Sequence, residues 1–143
     1  MNHTDLVKIS EKWLRRSMNC GVVIAELITW ASETPDAIGF KNGISILIEC
    51  KMSRQDFLMD KKKTFRILPE TGMGTYRYYI CPEGLIKEDD LPPKWGLLYV
   101  DDKGKVKKVI GPVKHNKHIF VNIRNMKAEQ LLLVSALRRY QNK

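Results

Sequence analysis

The sequence predicts a mixed α/β fold, and three observations carry that prediction. Amphipathic helical patterns open and close the chain, at Thr4–Ser17 and Met126–Tyr140. Between them lie short runs of β-branched, aromatic and large apolar residues bounded by turn formers. One further helical segment, Ser53–Arg66, interrupts those runs. Helical spacing at the ends, strand-like runs inside and a crossing helix between strands together define an α/β arrangement.

Each element has a local reason. In the first helix Leu6, Ile9 and Trp13 fall on one face, with Lys8, Glu11, Lys12 and Arg15 on the other. Thr4 or Asp5 serves as its cap, and Asn19 and Gly21 mark its end. Val22–Trp30 reads as a strand, although its length and two-sided apolarity also fit a helix. Ala31–Pro35 turns the chain. Asp36–Lys41 and Ile44–Lys51 are strands joined by Asn42-Gly43, the dipeptide suited to a type I′ turn because both positions need positive φ. Ser53 caps the next helix, with Asp56 in the position of a capping-box acid. Thr71–Gly74 is a loop, Thr75–Cys81 a strand and Pro82–Pro93 a loop. Trp95–Val100 and Lys105–Ile110 are strands joined by a turn at Asp101–Gly104, and His118–Ile123 is a short strand. The closing helix places Leu133, Leu137 and Tyr140 on one stripe.

The bulk properties limit the function classes. A chain of 143 residues without a dividing linker reads as a single domain over 1–143. No apolar run reaches the ~20 residues of a membrane span, and charges throughout Met1–Arg16 leave no signal-peptide apolar region, so a cytoplasmic protein is expected. Cys20, Cys50 and Cys81 are too sparse for a disulfide framework and read as reduced thiols. With 25 basic against 16 acidic residues the net charge is +9, which favours a polyanionic partner, nucleic acid above all.

The hairpin carries the chemistry. With Asn42 and Gly43 as its loop, Lys41 faces Ile44 and Asp36 comes to lie opposite Glu49, on a non-hydrogen-bonded pair. Such pairs hold their Cβ atoms roughly 4.5–5.5 Å apart. Lys51 emerges on the same face as Glu49, because side chains alternate along a strand. Two carboxylates so close repel unless a positive charge lies between them. Oxygen donors suit a hard divalent cation such as Mg²⁺, which takes one or two carboxylates with water and substrate phosphate. The backbone carbonyl of Cys50 is a further candidate ligand. A cation here would polarise a phosphoryl oxygen, and Lys51 would orient the attacking water or offset developing charge. The alternative is an ordinary same-face Glu–Lys pair at a strand end, with Asp36 serving the turn after Pro35.

At these residues the chain resembles the PD-(D/E)XK nuclease superfamily. The motif stands as Pro35-Asp36, twelve intervening residues, then Glu49-Cys50-Lys51. The stretch Glu49-Cys50-Lys51-Met52-Ser53-Arg54-Gln55-Asp56-Phe57, followed by Asp60-Lys61, is similar to a subgroup of short bacterial and phage proteins. The resemblance covers Val22–Lys63 and extends more loosely over Tyr76–Val100. It implies a restriction-endonuclease-like central, four-stranded mixed sheet flanked by helices, and phosphodiester hydrolysis dependent on Mg²⁺ or Mn²⁺. Asp36 and Glu49 would be metal ligands, Lys51 the catalytic lysine, and Glu26 the upstream acid that acts on the metal, often through water. Alternatively, Glu26 is a buried partner of Lys51.

Several neighbouring residues are candidate DNA contacts. Ser53 and Arg54 stand where a helix start could meet phosphate, although Ser53 and Asp56 equally suit plain capping. Lys61, Lys62 and Lys63 are either a phosphate-tracking patch or a solvated face. Arg77 lies among Tyr76, Tyr78 and Tyr79, rings that stack on bases in some proteins but more commonly fill a core. Gly72-Met73-Gly74 reads as a flexible loop placed to line a DNA groove. Lys105, Lys107, Lys108, Lys114 and Lys117 make a second basic region around His115 and His118, whose spacing without nearby cysteine or acid argues against zinc. The expected function is metal-dependent DNA hydrolysis, structure-guided or of low sequence specificity, with a homodimer through the closing helix as one way to cut both strands. The rival readings are a DNA-binding module on the same fold that does not cut, and a protein-interaction factor.

Overall fold

The computed structural model describes residues 1–143, and its centre is one six-stranded sheet in sequential order. The elements are α1 (His3–Arg16), β1 (Val22–Ala25), β2 (Ala37–Lys41), β3 (Ile44–Cys50), α2 (Arg54–Asp60), α3 (Thr64–Ile67), β4 (Tyr76–Pro82), β5 (Trp95–Val100), β6 (Val106–Ile110) and α4 (Met126–Gln141). β1, β2 and β3 pair antiparallel; β4 runs parallel to β3, and β5 parallel to β4. β6 returns antiparallel on β5. A parallel neighbour requires a crossover, which α2 and α3 supply between β3 and β4.

The hairpin forms in the expected register, with Lys41 opposite Ile44 and Ala37 opposite Ile48. Asn42 and Gly43 both take positive φ, at 49° and 76°. Alternation along β3 then divides the core. Ile46, Ile48 and Cys50 join Leu6, Val7 and Leu14 of α1 on one face of the sheet. Leu47 joins Phe57, Tyr79, Trp95, Ala128 and Leu132 on the other. Tyr78 and Tyr79 are fully buried on opposite faces, as core rather than as stacking platforms. The three cysteines are free and buried.

Several boundaries depart from expectation. α1 is capped by Asn2, which accepts from the Asp5 N–H while Asp5 reaches back to the Asn2 N–H. Its buried stripe is Leu6, Val7, Ser10 and Leu14, with Ile9 and Trp13 at the margin. β1 stops at Ala25, because Glu26 takes φ 52° and its N–H donates to the Pro35 carbonyl at 3.1 Å, closing a loop. The expected helix over Ser53–Arg66 is two: it ends at Asp60, and Lys63 in extended conformation starts a second short turn. Around His118 the chain forms a 3₁₀ turn, Lys117–Phe120, rather than a strand. α4 buries Ala128, Glu129 and Leu132, and Leu133 packs only partly; Leu137 and Tyr140 are exposed. Gly72, Met73 and Gly74 are buried, with the Met73 N–H bonded to Glu33 and the Gly74 N–H to Glu129, so this loop is core structure and not a groove lining. No helix is long and apolar enough to cross a membrane.

Candidate active site

The site forms where β2 begins and β3 ends. Continuing the hairpin ladder past Ala37–Ile48 sets Asp36 opposite Glu49, and their contacts agree. The Asp36 N–H points at Glu49 Oε1 (3.4 Å), and Asp36 Oδ2 accepts the Cys50 N–H (2.8 Å). Pro35 has no N–H to offer the Cys50 carbonyl across the hairpin. Lys51 continues the parallel ladder by donating its N–H to the Ile80 carbonyl (2.9 Å), and its side chain turns into the protein. Asp36 and Glu49 therefore meet as the spacing implies, and Lys51 follows just past the end of β3.

What the sequence did not disclose is the partner set beneath them. Arg66, from α3, is buried and carries three carboxylates. Its Nη1 lies 2.6 Å from Glu33, its Nε 2.9 Å from Asp60 and its Nη2 3.5 Å from Glu49. Asp60 also lies 3.5 Å from Lys51 Nζ and 3.4 Å from Lys63 Nζ, and accepts the Tyr79 hydroxyl at 2.5 Å. Thus the partner of Lys51 is Asp60, not Glu26. Asp60 stood in the sequence signature; Glu33 and Arg66 gave no signal, because each meets the site only through tertiary folding.

Glu26 is exposed and stands beside a residue the sequence did not single out. His3 Nε2, from the first turn of α1, is 3.6 Å from Glu26 Oε2 and 3.6 Å from Asp36 Oδ1. The three donor atoms lie within 4.8 Å of one another.

Charge sets the chemistry. Glu26, Glu33, Asp36, Glu49 and Asp60 bring five carboxyl groups to the site, while Lys51, Lys63 and Arg66 bring three basic groups. The excess is negative in a protein of net charge +9. Burial, and then the charge of Asp36, push the Glu49 carboxyl well above its usual range, against the opposing pull of Arg66. Burial acts the same way on Asp60, but Arg66, the Tyr79 hydroxyl and Lys51 outweigh it and hold that carboxyl low. Asp60 Oδ1 and Arg66 Nη2 are buried without a hydrogen-bond partner. An acidic rim with oxygen donors at its edge fits a divalent cation, with Asp36 and Glu26 as first donors. Glu49 is turned toward Arg66, so the outer donors are the more available.

The expected nucleic-acid contacts separate in the structure. Ser53 caps α2, accepting the Asp56 N–H at 3.1 Å. Arg54 is exposed but makes a two-point contact with Asp90 (2.9 and 3.2 Å) and donates to the Leu85 carbonyl. Lys61 donates to the Asp90 carbonyl, Lys63 faces Asp60, and Lys62 is exposed. Arg77 must be removed from the set. It is 1% exposed and donates to the carbonyls of Gly74, Pro69, Gly72 and Ile123, clamping the chain around β4. Burial lowers its pKa to about 10, with Glu33 pulling the other way.

No protein-family model matches the chain, and no curated protein matches it. Among solved structures it is similar to the SPO1766 protein of unknown function from Silicibacter pomeroyi. That match has a TM-score of 0.65 at 22% identity and covers 99% of this chain and 90% of the other. At this identity the likeness speaks to the fold alone.

Proposed function

We propose that this chain is a metal-dependent deoxyribonuclease of the PD-(D/E)XK kind, on a restriction-endonuclease-like fold. The observation that carries the reading is the convergence of Asp36, Glu49 and Lys51 at one end of the hairpin, inside a carboxylate-rich site on a basic protein. A mixed sheet with helices on both faces supports the reading, although it has six strands where the resemblance implies four.

A divalent cation, when bound, supplies Lewis-acid activation of a phosphoryl oxygen and a more acidic water. The chain's own residues do the rest. Asp36, fixed by the Cys50 N–H, presents its free oxygen to the rim. Asp60 and Arg66 hold Lys51 and Glu49 in place, so that the ammonium is positioned to offset charge developing on the reacting phosphate. Lys62, together with the exposed Lys105, Lys107, Lys114 and Lys117, offers sequence-independent phosphate contacts. Cutting of low sequence specificity follows, because such contacts carry no base information. The test is cleavage of DNA by the wild type and its loss in Lys51→Ala.

One observation favours a second reading. Lys51 and Glu49 are already engaged, by Asp60 and Arg66 respectively. A site closed on itself would leave a DNA-binding module that does not cut, which salt-sensitive binding without cleavage would reveal.

A further inference from the structure

We infer that His3 is a third ligand of the metal site, and that the site therefore prefers a divalent transition-metal ion of the Co²⁺, Ni²⁺ or Zn²⁺ class to Mg²⁺. The inference rests on the metal-dependent reading above and names the kind of ion.

The separations argue for it. His3 Nε2 lies 3.6 Å from each of two carboxylate oxygens. That exceeds the roughly 2.7–3.2 Å of a hydrogen bond, so the ring is not bonded directly to either acid. Two ligands each about 2.1 Å from a common ion lie about 3.0 Å apart at a right angle and about 4.2 Å apart when opposed. The two observed separations fall inside that range, while the 4.8 Å envelope of the three donors lies beyond it, so one donor must move inward to close on an ion.

Each donor comes from a separately anchored segment. His3 follows Asn2, whose reciprocal bonds with Asp5 fix the start of α1, and Leu6 and Val7 seat the helix on the sheet. Asp36 commits Oδ2 to the Cys50 N–H, leaving Oδ1 facing the imidazole. Glu26 leaves β1 at positive φ, tied to Pro35 through its N–H. As a bare ion pair, a half-exposed histidine beside these acids contributes little to stability. As a ligand it changes the chemistry, since imidazole suits Co²⁺, Ni²⁺ and Zn²⁺, whereas Mg²⁺ takes oxygen and water.

The experiment is calorimetric titration of the full chain with Co²⁺ and with Mg²⁺, without DNA, monitored in parallel by the Co²⁺ absorption spectrum. His115 and His118 are the other two histidines and both are exposed, so every protein carries His115→Ala and His118→Ala to leave His3 as the sole imidazole. Tighter binding of Co²⁺ than of Mg²⁺ is expected, with about tenfold or greater loss of Co²⁺ affinity in His3→Ala, a changed Co²⁺ spectrum and unaltered Mg²⁺ binding. Equal Co²⁺ affinity in His3→Ala and its parent would overturn the inference. Should DNA cleavage still require Asp36 and a metal in that case, the nuclease reading stands and only the role of His3 fails. Should neither ion bind and no DNA be cut, the metal-dependent reading itself fails.

Discussion

Arg66 holds Glu33, Glu49 and Asp60 around one buried guanidinium. Replacing it with Met keeps volume but leaves buried carboxylates uncompensated. We expect Arg66→Met to lose about 3–5 kcal/mol in urea unfolding, the range for breaking a buried pair by removing one partner. A loss below about 1 kcal/mol would show that the network relaxes freely. A second residue-scale prediction concerns Asp90, whose carboxyl is held at about 2 by its bond from Arg54 and the Lys87 N–H. Because the folded value lies below the ordinary 3.8, Asp90 adds stability above that ordinary value, and the contribution is lost as pH falls toward 2. Arg54→Ala should raise the Asp90 midpoint in an NMR titration of its carboxyl. An unmoved midpoint would assign the depression to the Lys87 N–H instead. At this scale the sequence disclosed what a local spacing determines, namely Asp36, Glu49 and Lys51. It was silent on His3, Glu33 and Arg66, since nothing local to those residues says which remote strand end they will meet.

The hairpin was the most legible element, because Asn42-Gly43 specifies a turn, the turn specifies a register, and the register places Asp36 beside Glu49. The apolar run after β1 was misleading. Leu27 is buried, but Ile28 and Trp30 project into solvent from a loop, so apolarity there does not record a strand. The helix after β3 also broke earlier than its pattern suggested, and that break is what brings Arg66 back over Asp60. α4 is fastened through Glu129, a buried acid that accepts from Ser45 (2.8 Å), the Gly74 N–H (2.8 Å) and Arg124 (3.0 Å). Removing it orphans three donors at once. Glu129→Ala should cost about 3 kcal/mol in denaturant unfolding, with a smaller loss for Glu129→Gln. Equal effects of the two would indicate that the charge, which both variants lose, and not the bulk of the side chain seats the helix.

On the scale of the whole molecule, a basic protein encloses an acidic site. That contrast suits a polyanion drawn to the surface and a cation drawn to the centre. DNA affinity should therefore fall about tenfold or more between 50 and 200 mM salt. Lys62→Ala should lower affinity alike for all sequences and flatten the salt dependence by about one ion. Salt-independent binding would point away from phosphate contacts.

The most direct measurement is cleavage of labelled duplex, single-stranded, flapped and four-way DNA in Mg²⁺, Mn²⁺, Co²⁺ or EDTA, comparing wild type with Asp36→Asn and Lys51→Ala. The account predicts products with a divalent ion, none in EDTA, and none from either variant although both still bind DNA. Salt-sensitive binding by the wild type with no cleavage in any ion would contradict the nuclease and leave a DNA-binding protein built around a closed acidic site.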